Sequence, residues 1–150
     1  MSENNAALHD ALFAQLQQES FILLHTTDAE SGGPTTSAIS WVHAINERKL
    51  RIAIDLRSRL VDNMKQHRSV AVTIFGTNTV TAVYGQASLI EEPLPAVPLK
   101  LACFDIDITS VRDAMFYGAR LNAMPQYEKT YDKRAADKLD GQVFEAMRKA

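Results

Sequence analysis

Ser58 and Arg59 are the two residues whose types and position most clearly suggest chemistry. They follow the apolar run 52–54 and Asp55, and they stand at the start of a short amphipathic segment, 58–66. Ser58 is a suitable cap for a helix over this segment. Backbone N–H groups at a helix start, with a hydroxyl and a guanidinium beside them, form a receptor for a phosphate dianion. A simple helix cap next to a solvated charge would use the same residues, so the pattern alone leaves both interpretations open.

The other polar and aromatic residues predict no second reactive site. Asp105 and Asp107 alternate with apolar residues along a predicted strand, which favours a solvated face over a catalytic carboxylate pair. Cys103 has no adjacent histidine or basic helix start, so we expect an inert buried thiol. Trp41 is expected in the core or at a subunit interface, and a place stacked against a bound aromatic ligand is the alternative. The histidines show no spacing typical of metal ligands: His9, His25, His43 and His67.

Length and composition narrow the class of protein. The 150 residues predict a single domain over 1–150 that can bury its own core. A net charge of −2 argues against nucleic-acid binding, which needs a basic face. No apolar run approaches the roughly 18 residues of a membrane span, and the N-terminus lacks a signal-peptide pattern. Because there is only one cysteine, we expect a cytoplasmic protein without an intramolecular disulfide.

The elements that must position Ser58 and Arg59 are mostly strands. Leucines at four-residue spacing predict a first helix over 6–18, which Asn5 would cap. Alternating or continuous apolar runs predict strands over 21–26, 35–44, 50–54, 69–75, 80–90 and from 104 towards 117. Turn residues at 29–34 and 76–78 predict tight connections. A C-terminal helix carries one apolar stripe, formed by Ala136, Leu139, Val143 and Met147.

This pattern indicates a mainly β fold. About six antiparallel strands, joined by short hairpins and flanked by short helices, are typical of a small barrel or sandwich. The helix predicted over 58–66 would lie directly over a phosphate bound at its start. The sequence therefore predicts a six-stranded antiparallel barrel with one phosphate-binding end.

Three segments in this order resemble one family. They are GGPTTSAISWV at 32–42, KLRIAIDLRSRLVDNMKQHRSVAVTIF at 49–75 and VTAVYGQASLIEE at 80–92. They are similar to the pyridoxamine 5′-phosphate oxidase-like flavoproteins, the FMN-binding split barrels, which include small general stress proteins and oxidases. The shared features are Gly-x-Pro, a Ser-Arg pair before a short helix that contains an Asn, and Val-x-Gly-x-Ala. The resemblance covers 21–92 well and the remainder loosely.

The resemblance implies a six-stranded split barrel that holds FMN at a homodimer interface. By position, the backbone of Ser37, Ala38 and Ile39 would bond the polar edge of the flavin ring. Ile54 and Asp55 would flank the ribityl-phosphate, and Ser58 with Arg59 would bind the phosphate. The resemblance further implies that Thr81 reaches the ring from the side and that Phe116 of the partner subunit lines the flavin.

The chain also departs from the true oxidases. Those enzymes carry an arginine at the position of Ser37 and lysines at those of Val42 and Leu60, and they end in an arginine-containing segment. The end of this sequence, DKLDGQVFEAMRKA, is typical of an amphipathic helix instead. The missing cations argue against synthesis of pyridoxal phosphate.

Two functions remain open from the sequence. The first is an FMN-dependent oxidoreductase that acts on an unknown small-molecule substrate or electron acceptor. The second is a non-catalytic flavin-binding or stress-related carrier. A third possibility is that the same barrel holds deazaflavin or haem. No residue is an unambiguous catalytic acid or base.

Overall fold

The structure is a computed structural model that describes residues 5–150. Its elements in chain order are α1 Asp10–Gln15, β1 Ile22–Thr27, β2 Pro34–Ile39, β3 Val42–Asn46, β4 Lys49–Asp55, α2 Arg59–Gln66, β5 Ser69–Gly76, β6 Thr79–Glu91, β7 Leu101–Asp113 and α3 Lys133–Lys149. The mainly β prediction with short flanking helices is confirmed.

The strands form one antiparallel sheet that curls into a split barrel. Their order is β2–β1–β5–β6–β7–β4–β3, which makes seven strands where the sequence predicted six. The extra strand arises because the predicted strand 35–44 divides into β2 and β3. β2 pairs with β1, and β3 pairs with β4 at the opposite edge of the sheet. Only Ser40 and Trp41 join these two strands, so the two edges of the sheet must lie close together.

The helix α2 and the β5–β6 hairpin were predicted correctly from local sequence patterns. Ser58 is the N-cap of α2, and its Oγ accepts a hydrogen bond from the Leu60 N–H at 3.2 Å. The hairpin turns at Thr77 and Asn78, which have φ values of 55° and 65°. Two consecutive residues with positive φ are the mark of a type I′ turn, whose twist matches that of the flanking strands.

The first helix is shorter than predicted and has a different cap. α1 begins after His9, whose Nδ1 accepts a hydrogen bond from the Leu12 N–H, so the prediction of a helix over 6–18 capped by Asn5 was wrong. The cause is pairing that the local sequence does not show. Asn5 forms an isolated bridge with Val111. The Leu8 N–H donates to the Glu47 carbonyl at 2.7 Å, which keeps the chain before α1 out of a helix.

The barrel interior is largely aliphatic, and it holds α2 in place. The strands contribute fully buried residues that include Ile22, Leu24, Leu50, Ile52, Val72, Ile74, Val83, Phe104 and Ile106. From α2, Leu60, Val61 and Met64 are buried in the same cluster. Because burial of such a side chain stabilises a protein by roughly 1.5–3 kcal/mol, α2 is anchored and the position of Ser58 is fixed.

The C-terminal helix covers the outer face of β3 and β4. Ala136, Val143 and Met147 are buried as the apolar stripe predicts, and Leu139 is partly buried. Beneath this helix lies Cys103, a buried free thiol whose pKa burial raises to about 12, so the expectation of an inert thiol is consistent with its surroundings.

The prediction that Asp105 lies on a solvated face was wrong. Asp105 lies buried on β7 and accepts hydrogen bonds from the Arg51 guanidinium at 2.7 and 3.1 Å. Arg51 also donates to the backbone oxygens of Met147 and Ala150, so α3 closes over the ion pair. Asp107 is exposed, as predicted.

Candidate functional site

A cavity of about 410 Å³ opens where the two edges of the barrel meet. Its size lies within the roughly 300–1,000 Å³ typical of small-molecule sites. The lining comes from the end of β2, the Ser40–Trp41 connection, the end of β4 and the start of α2: Ser37, Ala38, Ile39, Ser40, Trp41, Ala53, Ile54, Asp55, Ser58 and Leu60. The structure thus brings together six of the residues to which the resemblance gave a role in ligand binding: Ser37, Ala38, Ile39, Ile54, Asp55 and Ser58.

The wall formed by β2 offers backbone groups to a ligand. Among the described residues, β2 has one strand neighbour, β1, and its residues are exposed or half-buried. The peptide groups on the free side of an edge strand have no ladder partner, so they can bind the polar edge of a planar molecule. Among the other residues of the lining, Trp41, Ala53, Ile54 and Leu60 are apolar.

A second cavity, of about 340 Å³, continues from the first at the start of α2. It is lined by Asp28, Thr35, Ser37, Ser58, Arg59, Leu60 and Asn63. Ser37, Ser58 and Leu60 line both cavities, so the two are contiguous. An apolar slot therefore leads to a polar end that contains a hydroxyl, a guanidinium and a helix start. This combination suits an elongated ligand with a flat body and an anionic tail.

Arg59 is engaged by a carboxylate at this polar end. Its Nη2 donates to Asp28 Oδ1 at 2.8 Å. The Arg59 side chain is 76% exposed, whereas that of Asp28 is 12% exposed. A hydrogen bond from the backbone N–H of Ser31, assisted by further bonds and by Arg59, holds the pKa of Asp28 below its usual value against the opposing effect of burial.

Asn63 joins α2 to the turn that carries Asp28. Its Oδ1 accepts from the Ala29 N–H at 2.8 Å, and its Nδ2 donates to Thr26 Oγ1 at 3.1 Å. Sequence reasoning did not assign a role to Asn63 or Asp28. A polar residue on the buried face of an amphipathic helix was the available signal for Asn63, which is 2% exposed. For Asp28 the signal was an Asx residue ahead of a glycine-rich turn.

Asp55 is also paired. Its carboxylate accepts hydrogen bonds from the Arg57 side chain at 3.2 and 3.1 Å and from the Arg57 N–H at 2.8 Å. These bonds, the side-chain one first, lower the pKa of Asp55. The carboxylate at the end of β4 is thus ionised and turned towards the loop that leads to Ser58.

Thr81 and Phe116 do not line either cavity within one chain. Thr81 is buried on β6, where it pairs with Ile74 of β5. Phe116 follows β7 and is 73% exposed. Their assigned roles at the flavin remain predictions, and that of Phe116 requires a partner subunit.

The part of the chain that the structure describes holds no group of three or more His, Cys, Asp and Glu side chains suited to a metal ion. None of its helices combines the length and the apolar character that crossing a bilayer requires.

Comparison with known proteins gives the family. The model of the family described as pyridoxamine 5′-phosphate oxidase matches residues 8–99, which is more than half of the chain and includes both cavities. This chain belongs to the pyridoxamine 5′-phosphate oxidase family. The sequence has no match among the curated proteins.

Several solved structures have a fold similar to that of this chain, in agreement with its membership of the pyridoxamine 5′-phosphate oxidase family. A candidate pyridoxamine 5′-phosphate oxidase of Lactobacillus delbrueckii is 17% identical, with 73% of this chain and 97% of that chain covered and a TM-score of 0.62. An F420 reductase is 16% identical, with 69% and 98% covered and a TM-score of 0.58. An FMN-binding protein of Syntrophomonas wolfei is 17% identical, with 71% and 83% covered and a TM-score of 0.55. At these identities the likeness shows the fold alone.

Proposed function

We propose that this chain is an FMN-binding flavoprotein, and that it serves as an oxidoreductase for a small-molecule substrate or electron acceptor. The observation that carries the proposal is the adjoining pair of cavities, in which an apolar slot at the split of the barrel lies beside a polar cavity lined by Ser58 and Arg59. Family membership supports a flavin as the occupant.

Different lining residues bind different parts of the FMN molecule. Backbone groups at 37–39 bind the polar edge of the ring, and the apolar side chains of Trp41 and Ile54 exclude water from its faces. Ser58 and Arg59 take the phosphate, the hydroxyl through one bond and the guanidinium through its planar fork. Bound FMN supplies two-electron transfer, while the protein supplies position and electrostatics.

The same cavities favour a second candidate, a flavin carrier without turnover. The charged residues among those that line the cavities are Asp28, Asp55 and Arg59, and each is held in an ion pair. None of these groups is therefore poised to take or give a proton. A carrier needs no such group, whereas an oxidoreductase would rely on its substrate or on water for proton transfer.

We also propose that the chain forms a homodimer, with the slot completed by a second copy. The slot is open along the free edge of β2, and Phe116 is an exposed aromatic side chain that a partner could place against the ring. A two-fold dimer is the commonest way for such surfaces to be buried.

A cytoplasmic location is also part of the proposal. Such a location suits the free thiol of Cys103, because thiols stay reduced in the cytosol.

Three measurements test the proposal. The purified chain should bind FMN with flavin absorption bands, and it should bind FMN more tightly than riboflavin, which lacks the phosphate. Reduction of the bound flavin by NADH or NADPH, followed by reoxidation in air, would support the oxidoreductase over the carrier. Light scattering at micromolar concentration should report a dimer. A colourless monomer that binds no flavin would exclude the proposed function.

The phosphate assignment has its own test. Arg59→Ala should weaken FMN binding by about 1.5 kcal/mol, roughly tenfold, because one charge-assisted hydrogen-bond donor is lost. Arg134→Ala removes the same charge from an exposed position on α3 and should leave FMN binding unchanged. Equal FMN affinity in both variants would mean that Ser58 and Arg59 form only a helix cap beside a solvated charge.

A further inference from the structure

A carboxylate of the chain already holds the guanidinium that the proposed function assigns to the ligand's phosphate. Arg59 Nη2 lies 2.8 Å from Asp28 Oδ1. Both residues line the second cavity, together with Ser58. The ion pair is therefore formed by two of the residues that line the proposed anion site.

The two partners differ in how firmly they are fixed. Asp28 Oδ2 accepts hydrogen bonds from the backbone N–H groups of Ser31 at 2.8 Å and Glu30 at 3.2 Å. The turn that makes these bonds is tied to α2, because Asn63 Oδ1 accepts from the Ala29 N–H. Asp28 is thus a buried anion in a fixed place. Arg59 has a long side chain that is 76% exposed, so it is the partner that can move.

We propose that Asp28 competes with the ligand's phosphate for Arg59 and so lowers the affinity of the site, which keeps the ligand exchangeable. This inference rests on the proposed function. A phosphate that binds Arg59 has to replace an existing ion pair, so it gains only the difference between two charge-assisted interactions. Release is favoured for the same reason, since Asp28 recovers the guanidinium as the ligand leaves.

The substitution Asp28→Asn tests the negative charge of Asp28 while it keeps the turn that Asp28 stabilises. An Asn side-chain oxygen can accept the same bonds from Ser31 and Glu30, because Asp and Asn both form turns of this type. The variant loses the negative charge and the second acceptor oxygen, the one that pairs with Arg59. Asp62→Asn is the matched control, because Asp62 lies in the first turn of the same helix and is exposed.

Titration with FMN and with riboflavin gives the main readout. For Asp28→Asn we expect FMN to bind about two- to fivefold more tightly than to the unaltered chain, the scale of an ion pair with one exposed partner. Riboflavin, which has no phosphate, should bind both proteins equally. Asp62→Asn should change the affinity for FMN by less than Asp28→Asn does.

A double variant separates competition from direct repulsion between Asp28 and the phosphate. With Arg59→Ala as the background, Asp28 has no guanidinium to hold, so adding Asp28→Asn should no longer improve FMN binding. A gain of the same size in that background would overturn the proposal in favour of simple repulsion. Thermal unfolding of each variant establishes that it is folded.

Asp28→Ser is a second variant without the charge. Its hydroxyl can still accept from the Ser31 N–H, so it should show the same gain in FMN affinity as Asp28→Asn.

Failure of this inference is distinct from failure of the proposed function. If the unaltered chain prefers FMN to riboflavin but Asp28→Asn binds FMN no more tightly, Asp28 does not compete and the inference alone falls. If the unaltered chain binds FMN and riboflavin equally, the phosphate assignment falls and the inference falls with it.

Discussion

The indole N–H of Trp41 donates to Asp140 Oδ1 at 2.9 Å, across 99 residues of sequence. Asp140 is also bound by Lys129 Nζ at 2.5 Å, and Lys129 contacts Glu19 at 2.7 Å. Burial alone would raise the pKa of Asp140, but the hydrogen bonds from Lys129 and Trp41 lower it. Since Trp41 lines the first cavity, α3 fixes one wall of the candidate flavin site without touching the cavity itself.

Asp140→Ala should therefore loosen this wall. We expect the free energy of unfolding to fall by about 1–3 kcal/mol, because the indole N–H and Lys129 each lose a partner in a partly buried place. Trp41 is the only tryptophan, so its emission reports this position directly. Urea unfolding followed by tryptophan fluorescence measures the loss, and the native emission maximum should move to longer wavelength.

Asp137→Ala provides the control for that experiment. Asp137 is exposed on the same helix, one turn earlier, and its removal should alter stability by no more than about 0.5 kcal/mol. An Asp140→Ala protein that unfolds at the same urea concentration as Asp137→Ala would show that the bond to Trp41 does not stabilise the fold.

A pH-dependent stability is expected from His43. This buried residue lies on β3 opposite Arg51, and its Nδ1 has no hydrogen-bond partner among the described residues. Burial, then the charges of Arg148 and Arg51, lower the pKa of His43 below 6.5. Arg51 is in turn paired with Asp105.

The sign of the effect follows from which state binds the proton first. Unfolded His43 gains a proton near pH 6.5, whereas folded His43 gains one only at lower pH, so the unfolded state binds more protons between these values. The free energy of unfolding should be constant above pH 7 and fall as the pH drops below 6.5, by at most about 1.4 kcal/mol per pH unit. Urea denaturation between pH 5 and pH 7.5 measures the slope.

His43→Gln should flatten that slope, since glutamine does not titrate in this range. His67→Gln, at an exposed position after α2, should keep it. The assignment to His43 would be refuted by an unchanged slope in His43→Gln.

Features governed by neighbours in sequence were predictable, and those governed by distant partners were not. Ser58 as a cap, the turn at Thr77 and Asn78, and the stripe of α3 all depend on residues within a few positions. The division of the strand 35–44 depends on pairing with β1 and β4, which no local pattern shows. Asp105 was assigned to solvent by its alternation, yet Arg51 and the end of α3 bury it.

The candidate site shows the same division. Ser58 and Arg59 were recognisable because a strand, a polar turn and a helix start are contiguous in the sequence. Asp28 enters the site from a turn some thirty residues earlier, through a contact with Arg59 that only the fold creates. The sequence therefore predicted Ser58 and Arg59 as the groups that would bind a phosphate, and it missed Asp28, the anion that we propose competes for Arg59.

The final prediction concerns a second phosphate beside the flavin. The true oxidases that this chain resembles carry lysines at the positions of Val42 and Leu60 and an arginine at the position of Ser37. Val42 is fully buried and Leu60 is 8% exposed, and both belong to the apolar core. Ser37 lines both cavities but carries no charge. Arg59 is the only cation among the residues that line the two cavities, and Asp28 holds it.

We expect no efficient oxidation of pyridoxine 5′-phosphate by the FMN-loaded protein. Two phosphate dianions near one ring need several fixed cations, because desolvating a dianion without a partner costs several kcal/mol. Here the flavin's own phosphate would use the single arginine. Incubation with pyridoxine 5′-phosphate and oxygen, with pyridoxal phosphate followed over time, measures the rate, and a true oxidase in the same assay is the control. A turnover on the order of 1 per second or more would contradict the prediction, since enzymes typically reach that rate. It would mean that other side chains, including those of a partner subunit, supply the missing charge.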